Sequence, residues 1–278
     1  MRWLRGRRLG LGVLLVLALA ATWWLHGPAR GAAQAPWRAR GYLLVGVPLW
    51  LPPLAAPATD GRWVGLAPAL ARGVAQAALG NPGRVQILPL EPGQTTWALG
   101  TGGADMVIAG HAAAAPAGAR LVGPYLVTPL ALLVRRGQPL KAWAQLDGRE
   151  VGVLAGRAAL RKVAGPHASY VVEETDLPAL AVRALALGRL RALVGPLPVL
   201  RAMAAYDPQL TVQTEAVLGV ERYWVLVPAG AAALVPAVER AIAGLPAGEA
   251  LERALALWAS QAALPAPRPL LTLPSGAA

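Results

Sequence analysis

The run Leu43-Leu44-Val45-Gly46-Val47 is short, apolar and uninterrupted, and it breaks into a loop carrying Trp50, Pro52 and Pro53, so it reads as a buried strand. Apolar residues then recur at Leu66, Leu70 and Val74 and stop at Gly80-Asn81-Pro82-Gly83, the signature of an amphipathic helix with a strong stop. Residues 84–90 alternate, and 104–110 and 129–136 are short apolar runs bounded by Gly or Pro, which predicts three further strands. After the polar segment Gln145–Gly148 the pattern restarts. It predicts a strand over 150–156, a helix around Ala158–Val163, a strand over 169–174, a helix over 177–188, a strand over 191–195 and a helix over Pro198–Ala205. A last strand, 223–230, precedes helices over Ala231–Ala243 and Gly248–Leu264, the second with Leu251, Leu255 and Trp258 at helical spacing.

Strands that alternate with helices in this way predict an α/β fold of mainly parallel sheets flanked by helices. The restart near residue 138 makes two such units, and a crevice between two units is a natural place for a small ligand. At 278 residues the chain is long enough for one large domain or two lobes.

Ahead of this pattern stands a different one. MRWLRGRR is basic, and Leu9–Leu25 is an apolar stretch without charge, which together read as a signal peptide or an N-terminal membrane anchor within residues 1–35. Either reading exports the body, so the expected location is periplasmic, with anchoring through residues 9–25 if the segment is retained.

Charge changes the picture little. The formal net charge is +12, from 24 Arg and two Lys. Five of the arginines precede residue 36, where there is no acid, so the body carries 21 basic against 14 acidic residues. The basic residues are scattered through apolar segments and not clustered with aromatics, which argues against nucleic acid as a partner. With no cysteine, disulfides and thiolate metal sites are excluded. The three histidines, His26, His111 and His167, lie far apart and form no metal-ligand spacing, and no metal or other cofactor is expected. Ser169, Ser260 and Ser275 sit in no nucleophile elbow, and Gly100–Gly103 lacks the lysine of a phosphate loop, so no catalytic residue is assigned.

Several segments, in order, resemble the family 3 solute-binding proteins, the extracytoplasmic receptors of polar amino acid ABC transporters. LLVGVPLWLPPL resembles that family's first strand and loop, GRWVGLAPALARGVAQAAL the helix that follows, and ALGTGGADMVIAG its small-residue turn and Asp-bearing strand. PYLVTPLALLVRRGQPLKAWAQLDGREVGVLAG is the strongest match, and ALALGRLRALVGPLPVL and ERYWVLVPAG complete the order. The resemblance runs from about Tyr42 to Trp258. It implies a two-lobed periplasmic-binding-protein type II fold, with lobe one over 42–134 plus 225–264, lobe two over 135–224 and a Pro-rich tail over 265–278. It also implies two crossing strands, near Leu132–Arg136 and Trp224–Pro228, acting as a hinge.

The same resemblance implies ligand contacts at Trp50, Leu51, Gly110, His111, Ala112, Arg120, Tyr125, Gly156, Arg157 and Pro196. Several of these depart from the family pattern. The hydroxyl positions after 104–110 are Ala112 and Ala114, and the family's Arg falls near Gly118, with Arg120 as a displaced substitute. The Gly-Thr or Gly-Ser that holds a carboxylate stands as Gly156-Arg157, and the Asp that holds an ammonium stands as Pro196. Arg157, with Arg120 and Arg161, either makes an anion-selective cleft or forms a solvated surface cluster. The expected function is capture of a small polar or anionic solute for an ABC-type permease of the inner membrane, by a monomer that performs no reaction. The alternative is a degenerate binding fold that serves as a periplasmic accessory module, for example beside a dehydrogenase.

Overall fold

In the computed structural model the described residues are 36–49, 51–91, 93–111, 114–141, 143–146, 148–154, 172–175, 178–214 and 219–262. The apolar stretch Leu9–Leu25, the helix expected near 158–163 and the tail lie outside them. Among the described residues no helix is long and apolar enough to cross a membrane.

The chain enters through α1 (Pro36–Arg40), which buries Trp37 in the core. Arg40 pairs with the carboxylate of Asp105, which also accepts from the Leu44 amide at 2.7 Å. One buried acid thus ties α1 to the start of the first strand. Burial pushes the Asp105 carboxyl upward, against the Leu44 amide and Arg40, which favour its charge.

Strand β1 (Leu43–Pro48) follows, then the small hairpin β2 (Ala56–Pro57) with β3 (Trp63–Val64), and α2 (Leu66–Leu79). The helix is the one the apolar spacing predicts, and Leu66, Leu70 and Val74 are fully buried. Strand β4 (Val85–Leu90), α3 (Gln94–Gly100) and β5 (Met106–His111) complete the first unit. β4 and β5 flank β1, both parallel to it, so the spatial order is second, first, third.

The second unit repeats this order. After the long strand β6 (Ala119–Arg135) comes β7 (Val151–Leu154), flanked in parallel by β8 (Val172–Thr175) and, beyond α4 (Pro178–Ala186), by β9 (Ala192–Pro196). Helix α5 (Leu197–Tyr206) and β10 (Leu210–Gln213) close it. Then β11 (Val220–Pro228) returns to the first unit, pairing antiparallel with β5 and β6, and α6 (Val235–Ala243) and α7 (Ala247–Ala262) follow.

All nine strands of the main sheet join through β6, in the order β4-β1-β5-β11-β6-β9-β7-β8, with β10 also on β6. Residues 119–129 of β6 pair with β11, whereas 130–133 pair with β9 and 132–135 with β10. The crossings expected near Leu132–Arg136 and Trp224–Pro228 fall on β6 and β11. Those residues lie inside ladders, and β6 changes partner between Pro129 and Leu130, where proline has no N–H to leave unpaired. The return passage is between Gln213 and Val220.

The mainly parallel α/β architecture is as the pattern predicts, but six elements escape it, the two-residue strands β2 and β3 among them. The first half of β6 is broken in sequence by Gly123-Pro124, β10 and α3 are too short to show a period, and α1 is a single turn. The helix expected from Ala231 is a 3-10 segment, Ala229–Leu234, before α6, whose first turn takes Pro236.

Asp105→Ala leaves a buried guanidinium and an amide without their acceptor and is expected to lower the unfolding free energy by about 3 kcal/mol. Asp105→Asn, which still accepts from Leu44, is expected to lose less; urea titration of both variants measures the difference.

Candidate functional site

In open α/β sheets a ligand settles outside the carboxyl ends of the strands, where strand order reverses. Here the reversals fall at β1/β5 in the first unit and β7/β9 in the second. The carboxyl end of β5, His111, is paired with Tyr223 of β11, and Tyr223 is in turn paired with Leu126 of β6. Farther along the same strands Glu221 faces Thr128, and Pro196, the last residue of β9, faces Leu130. A few residues of crossing strand are thus all that separate the carboxyl ends of β5 and β9.

This junction is irregular in a specific way. Ala109 and Gly110 stand against Trp224 alone on one side of β11, and Gly123, Pro124 and Tyr125 stand against it on the other. These bulges let Pro124 sit within a strand. The Ala109 carbonyl accepts the Tyr125 hydroxyl at 2.9 Å, so a backbone group in the bulge keeps a partner. Tyr125 is buried and meets Tyr223 edge to face, with ring centroids 6.1 Å apart. The Tyr223 hydroxyl donates to Glu221 Oε2 at 2.7 Å, and Glu221 and Thr128 are each 2% exposed. A buried carboxylate is costly unless held by donors, and this one stands where the two units converge.

The loop after β1 is built as a plug for α2. Leu51 exchanges backbone hydrogen bonds with Ala55, and the carbonyls of Pro53 and Leu54 accept from the amides of Leu66 and Ala67 in the first turn of the helix. Gly65 makes this possible, since its φ of 121° is a left-handed value and a Cβ there would lie 2.5 Å from the Leu54 oxygen. Leu51 is half-buried and packs on the core, while neighbouring Leu49 is exposed. By contrast, no side chain among the described residues caps α5, whose first residue follows Pro196. The positive end of the α5 dipole therefore meets the carboxyl end of β9.

The structure brings Gly110, His111, Tyr125 and Pro196 to this junction, and Leu51 follows β1 at its carboxyl end. Trp50, Ala112, Gly156, Arg157 and Arg161 lie outside the described residues. Arg120 is not brought in. It is exposed and pairs with Val227, four residues along β11 from Tyr223 and so about 13 Å away, at the opposite end of the first unit.

Sequence reasoning missed Glu221. Its signal was present, since 221, 223, 225 and 227 alternate as the buried phase of β11 and an acid in that phase is unusual. Starting the strand at 223 hid it.

No protein-family model matches the chain, and no curated protein is similar to it in sequence. Solved structures share its fold. The solute receptor for L-cysteine of Neisseria gonorrhoeae superimposes with a TM-score of 0.66 at 23% identity, over 79% of this chain and 90% of that one. An ABC transporter periplasmic binding protein from Brucella ovis with glutathione bound gives 0.65 at 21%, over 74% and 68%. An ancestral arginine-binding protein bound to arginine gives 0.64 at 26%, over 79% and 98%.

Tyr223→Phe removes a donor from a buried carboxylate and is expected to cost about 2 kcal/mol of stability, against about 1 kcal/mol for Tyr125→Phe, whose acceptor is a neutral carbonyl. Gly65→Ala must move the loop off α2 and is expected to cost about 2 kcal/mol or more. Chemical denaturation of the three variants, at unchanged slope, reads all three values.

Proposed function

We propose that the protein is an extracytoplasmic solute-binding protein, a divergent relative of family 3, which closes two α/β lobes on a small solute and delivers it to an ABC-type permease. The observation that carries this reading is the repeated strand order, which turns two switch points toward one junction spanned by β6 and β11. The proteins of like fold bind cysteine, glutathione and arginine, all with a carboxylate and an amino group.

In this reading the lobes divide where β6 changes partner, at Pro129–Leu130, and where the chain returns from β10 to β11. Two short backbone passages make a hinge, and a solute drives closure because it touches both lobes only in the closed form. The solute is zwitterionic or anionic. Glu221 offers a carboxylate toward an amino group, in place of the acid absent at Pro196, and the uncapped first turn of α5 faces a carboxylate. The end of β5 and the backbone at Leu51 bound the solute from the first lobe. No covalent step is involved.

The competing reading, an accessory module that holds no solute, is favoured by one feature: the sequence after β5 runs Ala-Ala-Ala-Ala and has no hydroxyl to offer a ligand.

The test is a thermal-shift screen of the full chain against amino acids, dicarboxylates, phosphates and sugars. A ligand at 100 times its dissociation constant adds about 2.7 kcal/mol, roughly 5–10 °C for a protein of this size. An amino acid or small carboxylate is expected to give that shift, and Glu221→Gln to weaken amino acid binding by about tenfold or more. A flat screen on folded protein would overturn the receptor reading in favour of the accessory module.

A further inference from the structure

The amino ends of β7 and β9, at the far side of the second unit from the junction, carry an unusual concentration of positive charge. A cavity of about 340 Å³ opens there, lined by Arg135 at the end of β6, Arg149 before β7, and Arg189 and Arg191 before β9. Among the described residues Glu150 is the one acid in its lining, against four arginines, a formal excess of three positive charges. Among the described residues none of the four arginines forms an ion pair.

Two of these guanidinium groups are held in place. Arg135 donates to Gln138 Oε1 at 2.7 Å, and Arg191 donates to the carbonyls of Gln138 and Pro139 at 3.0 and 3.4 Å. Arg135 also lies directly on the turn at Gly188, where a Cβ would fall 2.2 Å from its Nη1. Burial, and then the charges of Arg135 and Arg149, push the Arg191 guanidinium below its ordinary value. Among the described residues the cluster thus bears a repulsion that Glu150 offsets only in part, and two of its four side chains are already ordered.

We infer that this cavity is a second binding site, separate from the crevice, for a polyvalent phosphate-type anion. Guanidinium forks match phosphate oxygens two at a time, and a monovalent anion would leave most of the repulsion in place. The cavity has room for roughly ten waters at about 30 Å³ each, enough for a diphosphate. Such an anion could be free in solution or be the headgroup of a phospholipid. The site stands apart from the proposed crevice and does not depend on it.

The probe is inorganic pyrophosphate, titrated at low salt into the full chain in nonionic detergent and followed by calorimetry. Saturable one-to-one binding is expected. Arg149→Gln, whose side chain bonds no described neighbour, and Gly188→Ala, which dislodges Arg135, should each weaken it by about tenfold. Arg84→Gln, which removes a surface charge in the first unit, should change it less than about twofold. Absence of saturable binding, or equal losses in all three variants, would overturn the proposal. Cardiolipin vesicles, whose headgroup carries two phosphates, then identify the source. Vesicle binding that pyrophosphate displaces and Arg149→Gln weakens marks a lipid headgroup, and vesicle binding indifferent to both marks a soluble anion.

Discussion

Backbone hydrogen bonding along β6 is the constraint on which the rest of the molecule depends. Its first eleven residues complete the sheet of one unit through β11, and its last six lie between β9 and β10 in the other. In that second stretch both faces are buried: Ala131 and Leu133 point into the main core, while Leu130, Leu132 and Val134 form a separate cluster with Val151, Val153, Ala192 and Val194. A one-residue slip would exchange these two sets, so packing on both faces enforces one register. The crossing that joins the units is consequently fixed to within a residue.

The irregularities concentrate where that strand passes between the units. Bulges in β5 and β6, the prolines Pro124 and Pro129 of β6 and a buried tyrosine–carboxylate pair all fall within a few residues of Tyr223 or its partners. Regular ladders elsewhere carry the stability that lets this region depart from ideal pairing. A strand junction built only for packing would place Val or Leu at 221 and 128. Glu221 and Thr128 instead keep polar groups at the point where the carboxyl ends of both units converge.

The two ends of the second unit differ in charge for a topological reason. Parallel strands place all their carboxyl ends on one side and all their amino ends on the other, so residues just before β7 and β9 gather at one pole although about forty positions separate them in sequence. Arg149, Arg189 and Arg191 meet in this way, and antiparallel β6 delivers Arg135 to the same pole. The carboxyl pole receives the uncapped start of α5 and the crossing strands.

The sequence by itself determined the alternation of strands and helices, the buried face of α2 at Leu66, Leu70 and Val74, and the presence of two αβ units, because each rests on a local period or a local stop signal. It also carried the family likeness of the fold. Three things were decided only by tertiary structure. The partners of β6, β11 for 119–129 and β9 with β10 beyond, were fixed there, because a strand's partners are not encoded in its own period. Arg120 left the crevice and Glu221 entered the junction, because bulges at Ala109-Gly110 and Gly123–Tyr125 reset which residues stand level with His111. The four arginines of the second unit, scattered in the chain, line one cavity because strand direction, not sequence distance, sets which loops meet.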